Sequence, residues 1–220
     1  MKIVVCVIGQ MRASSLTWPS FKKYVLDELG ADLVTCGPDA NVVCEYTSHA
    51  VQNIYSESKV IPGKLNNHII LDHRTNLGLK LEIEKWDQVI LTRSDLVWYG
   101  PHPTLDLGHI WFMNREFHFG ISERHSVMSS KDFPNIINLT SVPYPENCRN
   151  METFLMTRLK ETGVWGPKCG LAYFPMYIID SEGKWRYPDE QTPDVRTHTW
   201  PFTIVFNEVS RNGMFCGRVV

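Results

Sequence analysis

The sequence has no Cys-x-x-Cys pair, no long apolar run, no excess of either charge and no Gly/Ser-rich linker. Each absence removes a class of protein. Without paired cysteine spacing, the six cysteines (Cys6, Cys36, Cys44, Cys148, Cys169, Cys216) form neither a zinc site nor a disulfide frame. They read as free thiols of a reducing compartment, so a cytoplasmic location is expected. No segment approaches the ~20 apolar residues of a membrane helix, so no membrane insertion is expected. The opening run Lys2 to Gly9 is too short for a signal peptide, and Gln10, Arg12 and Ser14 occupy the place of a cleavage site. With 22 basic and 24 acidic residues, the net charge of -2 offers no stripe for nucleic acid. One or two phosphates in a pocket remain allowed, since they need only a few basic groups or a metal. Asn138-Leu139-Thr140 matches a glycosylation acceptor, and without a secretory route it reads as chance.

What is present is an ordinary globular composition, 43% apolar and 21% charged over 220 residues, enough for one well-buried domain. Lys2 to Ile8 is a β-branched run, the pattern of a strand covered on both faces. Gly9-Gln10-Met11-Arg12 breaks it. A helix follows from Thr17, with Pro19 in its first turn and Gly30 as its stop. Ala31 to Cys36 is the next strand, completing a β-α-β unit that implies a parallel sheet. Asn76 to Trp86 alternates Leu77, Leu79, Leu81 and Ile83 like a strand, but its Leu, Lys and Glu content predicts helix. Val89 to Thr92 is a buried strand. Ile110 to Met113 and Ser126 to Ser129 are further strands, Met151 to Thr162 is a helix, and the Pro- and Trp-rich tail is irregular. The expected fold is a single α/β domain over 1–220, a mostly parallel mixed sheet flanked by helices with an irregular C-terminal part.

Arg93-Ser94-Asp95 lies at the carboxyl end of a buried strand, the end where ligands of open α/β sheets gather. Asp95 can bind a hard cation through oxygen, and such an ion can bridge two phosphates. Arg93 can pair with a phosphate or with Asp95 itself, and a structural Arg-Asp pair is the plain alternative. At the first strand's exit, Gly9 allows close backbone approach and Gln10 can hydrogen-bond a base edge. A simple turn explains the same residues without a ligand.

A helix, an aromatic-Asp-x break, a hydrophobic strand and an Asp cluster together resemble the metal segment of GT-A-fold nucleotide-sugar glycosyltransferases. Their usual form is Asp-x-Asp, and this chain keeps only the second carboxylate, Asp95. The resemblance implies that Ile8, Gly9, Gln10 and Arg12 face the nucleoside and its phosphates, joined by Lys80, Arg93 and Ser94. It implies that Gly120, in Phe117-His118-Phe119-Gly120-Ile121, lets sugar and acceptor approach the backbone, with Glu123, Arg124 and His125 beside it. It places Glu152, at the start of the later helix, near the sugar's reacting carbon, where an acidic first-turn residue would also suit the helix dipole. His198 takes the place of a last metal ligand. Trp165, Trp185 and Trp200 could stack on sugar rings, although core packing is the commoner role of tryptophan. The chain is similar to the small UDP- and Mn²⁺-dependent transferases that large algal viruses encode to decorate their capsid protein.

The implied function is metal-dependent transfer of a sugar from a nucleoside diphosphate donor, UDP-linked, to a glycan or glycoprotein, with retention of configuration. Residues 1–100 would hold the nucleotide and 101–220 the sugar and acceptor, with Mn²⁺ or Mg²⁺ on Asp95 and His198. Were the source viral, the compartment would be the host cytoplasm. Two rivals stay open: a catalytically inactive module that binds nucleotide or glycan, and a metal-dependent phosphoesterase.

Overall fold

The computed structural model describes residues 1–57, 67–114, 121–140, 151–166, 168–184, 204–209 and 215–219. The strands are β1 (Ile3–Ile8), β2 (Asp32–Gly37), β3 (Gln52–Tyr55), β4 (Gln88–Thr92), β5 (Leu96–Trp98), β6 (Ile110–Met113), β7 (Ser122–Ser129), β8 (Cys169–Ala172), β9 (Met176–Ile178), β10 (Ile204–Val209) and β11 (Phe215–Val219). The α-helices are α1 (Ser14–Phe21), α2 (Glu45–His49), α3 (Asn67–Lys80), α4 (Phe133–Thr140) and α5 (Met151–Glu161). Nine strands form one mixed sheet in the order β10-β11-β8-β6-β7-β4-β1-β2-β3, and β5 pairs with β9 in a separate ribbon. Within the sheet β7 and β11 run against the other strands, so seven of the nine point one way. The α/β class and the mostly parallel mixed sheet are as expected. In the tail, β10 and β11 extend the sheet.

β1 is buried along its whole length, and its alternate side chains feed two cores. Val4, Cys6 and Ile8 face Leu77, Leu81, Ile136, Leu155 and Leu159 from α3, α4 and α5 and the turn after α3. Ile3, Val5 and Val7 face Trp18, Phe21 and Val25, together with Leu96, Trp98, Met176 and Ile178 of the ribbon. Burial of both faces is why β1 reads as an unbroken apolar run.

Two helical expectations shift. The first helix begins at Ser14, on Ala13 in the left-handed region (φ 51°), so Pro19 lies inside it and not in its first turn. Proline lacks the N–H that would close the ladder there, and the helix widens into a π turn over Lys22–Asp27 before Gly30. The predicted helix over Asn76 to Trp86 instead starts at Asn67 and ends at Lys80. The leucine alternation explains the ambiguity. Leu77 and Leu81, four apart, share the buried face, whereas Leu79 is 78% exposed. β7 begins four residues earlier than expected, at Ser122. No described helix is long and apolar enough to cross a membrane.

Candidate functional site

The strand order reverses at β1, which lies between β2 and β4, both parallel to it. Neighbouring chain connections therefore leave in opposite directions from the exits of β1 and β4, the arrangement at which open α/β sheets take ligands. The two exits are tied together. Ser94 Oγ donates to the Gln10 carbonyl at 2.8 Å, and Thr17 Oγ1 donates to the Ser94 carbonyl at 2.7 Å. Tyr46, whose hydroxyl burial pushes upward in pKa, meets the same Thr17 oxygen at 2.9 Å. Ser94 is therefore a clasp between strands, a role its buried position fits better than contact with a ligand.

Gly9 has φ 99°, and its N–H donates to the Cys36 carbonyl at 2.8 Å. Gly37 lies against it so closely that a Cβ there would sit 2.1 Å from the Gly9 oxygen. Two glycines thus bring the exits of β1 and β2 into backbone contact. Beyond Gly9, the Met11 N–H donates to Asp39 Oδ2 at 2.9 Å, and Arg12 Nε donates to Gln10 Oε1 at 2.8 Å on the exposed side. Ile8 itself is buried with its side chain in the helix-side core, so only its backbone can face a ligand.

At the exit of β4, Arg93 holds Asp95 with both arms, Nε to Oδ1 at 2.9 Å and an Nη to Oδ2 at 2.5 Å. The carboxylate is nearly buried (5% exposed) and the guanidinium partly so (23%). Among the described residues no three His, Cys, Asp or Glu side chains come together as metal ligands. Of the two expected metal ligands the described residues include Asp95, and an arginine pairs with it. His198, the expected second ligand, lies outside the described residues, as does Gly120.

Lys80 stands on the β3 side of this group, near Cys36. Its carbonyl accepts from Gln52 at the start of the edge strand β3, and its ammonium donates to the Tyr55 carbonyl at 3.1 Å. Two strand spacings, roughly 10 Å, separate that strand from β1. Helix α3 also delivers His73 and Asn76, which sequence reasoning missed. His73 Nδ1 lies 2.8 Å from Ser56 Oγ, to which Asn76 Nδ2 donates at 2.9 Å. Burial lowers the pKa of His73, against the opposing charges of Asp72 and Asp39. Asp39 joins the site through Met11. Its signal was the Gly37-Pro38-Asp39 turn directly after a buried strand.

The second half contributes from β7. That strand runs antiparallel to β4 with Leu91 opposite Ser126, so Ser122–Arg124 extends past the exit of β4. There the Ile121 N–H donates to the Glu152 carbonyl at 3.2 Å, joining the start of α5 to the strand. Glu152 and Arg124 are both buried. Glu123 has its backbone in β7, and its side chain lies outside the described residues. Trp165 packs against the core, and Trp185 and Trp200 lie outside the described residues.

His125 departs from expectation. It points away from Arg124, into the core beneath the ribbon, 4.3 Å from the Phe174 ring and 5.3 Å from Trp98. Its Nε2 is 3.1 Å from His102 Nε2, and its Nδ1 is 2.9 Å from Thr92 Oγ1. One proton arrangement satisfies the chain. The Pro103 carbonyl can only accept, so His102 Nδ1 carries a proton and its Nε2 accepts from His125 Nε2–H. His125 Nδ1 is then left to accept from the Thr92 hydroxyl. Both rings are neutral, burial driving His102 down to about 4 and His125 well below its ordinary value. Adjacent strand residues face opposite sides of a sheet, which is why the sequence pair Arg124-His125 does not share a pocket.

No protein-family model matches the chain, and no curated protein sequence matches it. Among solved structures it is similar to a glycosyltransferase involved in the glycosylation of the major capsid of PBCV-1, with a TM-score of 0.46 and 11% identity, covering 79% of this chain and 83% of that one.

Proposed function

We propose that this protein transfers a glycosyl group from a nucleoside diphosphate donor, uridine-linked in the first instance, to a glycan or protein-linked acceptor. The observation that carries the reading is the clasped pair of strand exits at the sheet's switch point. Gly9, only partly buried, offers backbone there with Gly37 packed against it, Arg12 stands at the surface, and Arg93-Asp95 closes the other side. In this reading the nucleoside lies along Gly9-Gln10 beside Asp39, and the diphosphate meets Arg12 and Arg93. As the bond from the sugar's anomeric carbon to the phosphate oxygen breaks, the charge gathering on the diphosphate is met by these guanidinium groups. Glu152, with Glu123 second, supplies the carboxylate facing the electron-poor sugar carbon.

Calorimetry with UDP, GDP and CMP, each with and without Mn²⁺, is the first test. One nucleotide should bind in the micromolar range, and Arg12→Ala should weaken it. Absence of binding by all three sinks the reading. Binding that requires Mn²⁺ and is lost in Asp95→Ala would restore Asp95 to the metal. Incubation with UDP-glucose and an acceptor mixture, followed by UDP release, separates a transferase from an inactive nucleotide-binding module. The closed Arg93-Asp95 pair is what keeps that second reading in play. The phosphoesterase reading has less support, since among the described residues no three His, Cys, Asp or Glu side chains gather as metal ligands.

A further inference from the structure

The ends of β2 and β3 and the middle of α3 bring a buried polar group to the edge of the strand exits. The Ser56 N–H donates to the Gly37 carbonyl at 3.2 Å, which seats the residue after β3 on the glycine that touches Gly9. The Cys36 thiol donates to the His73 carbonyl at 3.2 Å, which seats α3 over the end of β2. His73 is 1% exposed and Ser56 2%. Asn76 Nδ2 can only donate, so Ser56 Oγ accepts from it. Among the described residues the hydroxyl hydrogen then has one acceptor, His73 Nδ1. Burial keeps the ring neutral, so its single proton sits on Nε2. That N–H is buried and has no hydrogen-bond partner. An unmatched buried donor is costly, and an arriving acceptor removes the cost. Asp39, whose charge acts on the His73 ring, is its complement. Its Oδ2 accepts from the Met11 N–H, its Oδ1 carries no hydrogen bond among the described residues, and the residue is half-buried.

We infer that His73 is a specificity-determining residue which, with Asp39, selects a nucleobase whose carbonyl stands beside a ring N–H. The inference rests on the nucleotide reading above and narrows it. Uracil and guanine carry that edge. Their carbonyl takes the His73 Nε2–H, and their ring N–H is taken by Asp39 Oδ1. Cytosine and adenine present the reverse, an amino group beside an unprotonated ring nitrogen. Their amino group would set a donor against the histidine N–H, and their ring lone pair would face the carboxylate. Both protein groups would then stay unmatched, the circumstance in which a hydrogen-bonding site rejects a substrate most strongly. Ser56 and Asn76 are positioning residues. They fix which ring nitrogen holds the proton, and so which kind of group the base must offer. Arg12 and Arg93 meet phosphates, which every nucleotide carries, so affinity and base choice fall to different residues.

The test is calorimetry on the full chain with UDP, GDP, CDP and ADP at one fixed Mn²⁺ concentration. UDP or GDP should bind at least about thirtyfold tighter than CDP and ADP. His73→Phe keeps a ring and removes both nitrogens. It should weaken the favoured nucleotide about tenfold and leave the weak binding of CDP unchanged. Should that variant not fold, the wild type decides with the favoured nucleotide methylated at its ring nitrogen, which should bind no better than CDP. Nitrogen NMR of the His73 ring adds a readout that a purely structural role would not move. Nε2 should be the protonated nitrogen in the free protein, and its N–H resonance should shift downfield with the favoured nucleotide and not with CDP. Equal binding of all the nucleotides, or a gap unchanged in His73→Phe, overturns base selection and leaves the nucleotide reading standing. Binding of none removes the nucleotide reading itself, and this inference with it.

Discussion

Thr92 and Asp95 stand three residues apart at the exit of β4, yet their side chains end in opposite kinds of surroundings. Thr92 turns inward and closes a chain of hydroxyl, two neutral imidazoles and a backbone carbonyl, all buried beneath the ribbon. Asp95 ends in a charged pair with a partly exposed arginine, beside an exposed Arg12-Gln10 contact. The first cluster is buried, with the ring nitrogens of both histidines matched. The second carries charge at a strand exit facing solvent. Polar groups near one another in sequence therefore divide between structure and chemistry according to the face they leave from. The variants below test that division, the closed side first.

His125→Ala should have the largest effect on stability. It leaves His102 Nε2 without its donor and opens a cavity against Phe174 and Trp98, a loss of about 4 kcal/mol by urea unfolding. A loss under about 1 kcal/mol would break the claim that this cluster is structural. Gly37→Ala strikes the backbone junction of β1 and β2 instead. A Cβ 2.1 Å from the Gly9 oxygen must move main chain, costing about 3 kcal/mol and spreading the exits that the proposed nucleotide uses.

Acidification discriminates between the sides without mutation. The folded pKa values of both core histidines lie below the unfolded value of 6.5. The unfolded chain therefore binds more protons as pH falls, and stability present above pH 6.5 is lost progressively towards pH 4. For His102 the loss between pH 7 and pH 5 is on the order of 2 kcal/mol. Urea midpoints of wild type and His102→Gln at the two pH values measure it. An equal pH slope in both proteins would remove the histidine chain from the account.

Much of the first half was legible before any coordinates. β1, β2 and β4 are buried on both faces and so read as apolar runs, and Asp95 follows from the strand it ends. Glu152 was placed by its helix start, which the structure puts beside Ile121 through a backbone bond. The misses have separate causes. Strands of three residues, β5 and β9, are too short for any period to register, so the ribbon was invisible. His125 was grouped with Arg124 by adjacency, although the two-residue period of a strand separates them. Asp39 and His73 come from segments far apart in sequence, brought together by the β2 and α3 connections that no local pattern encodes.

Arg12→Ala should do least to stability and most to discriminate function. The side chain is exposed, and its Nε bond to Gln10 competes with water, so unfolding should shift by no more than about 0.5 kcal/mol. A phosphate that it meets has no such replacement, because water returns no positive charge. Loss of one charge-assisted contact corresponds to roughly tenfold weaker UDP binding. Arg12→Lys restores the charge without the planar fork and should recover part of that loss. Unchanged affinity in both variants would move the diphosphate away from the exit of β1 and leave Arg93 as its remaining partner there. The closed side would be untouched by that outcome, since nothing in the Thr92-His125-His102 chain contacts Arg12.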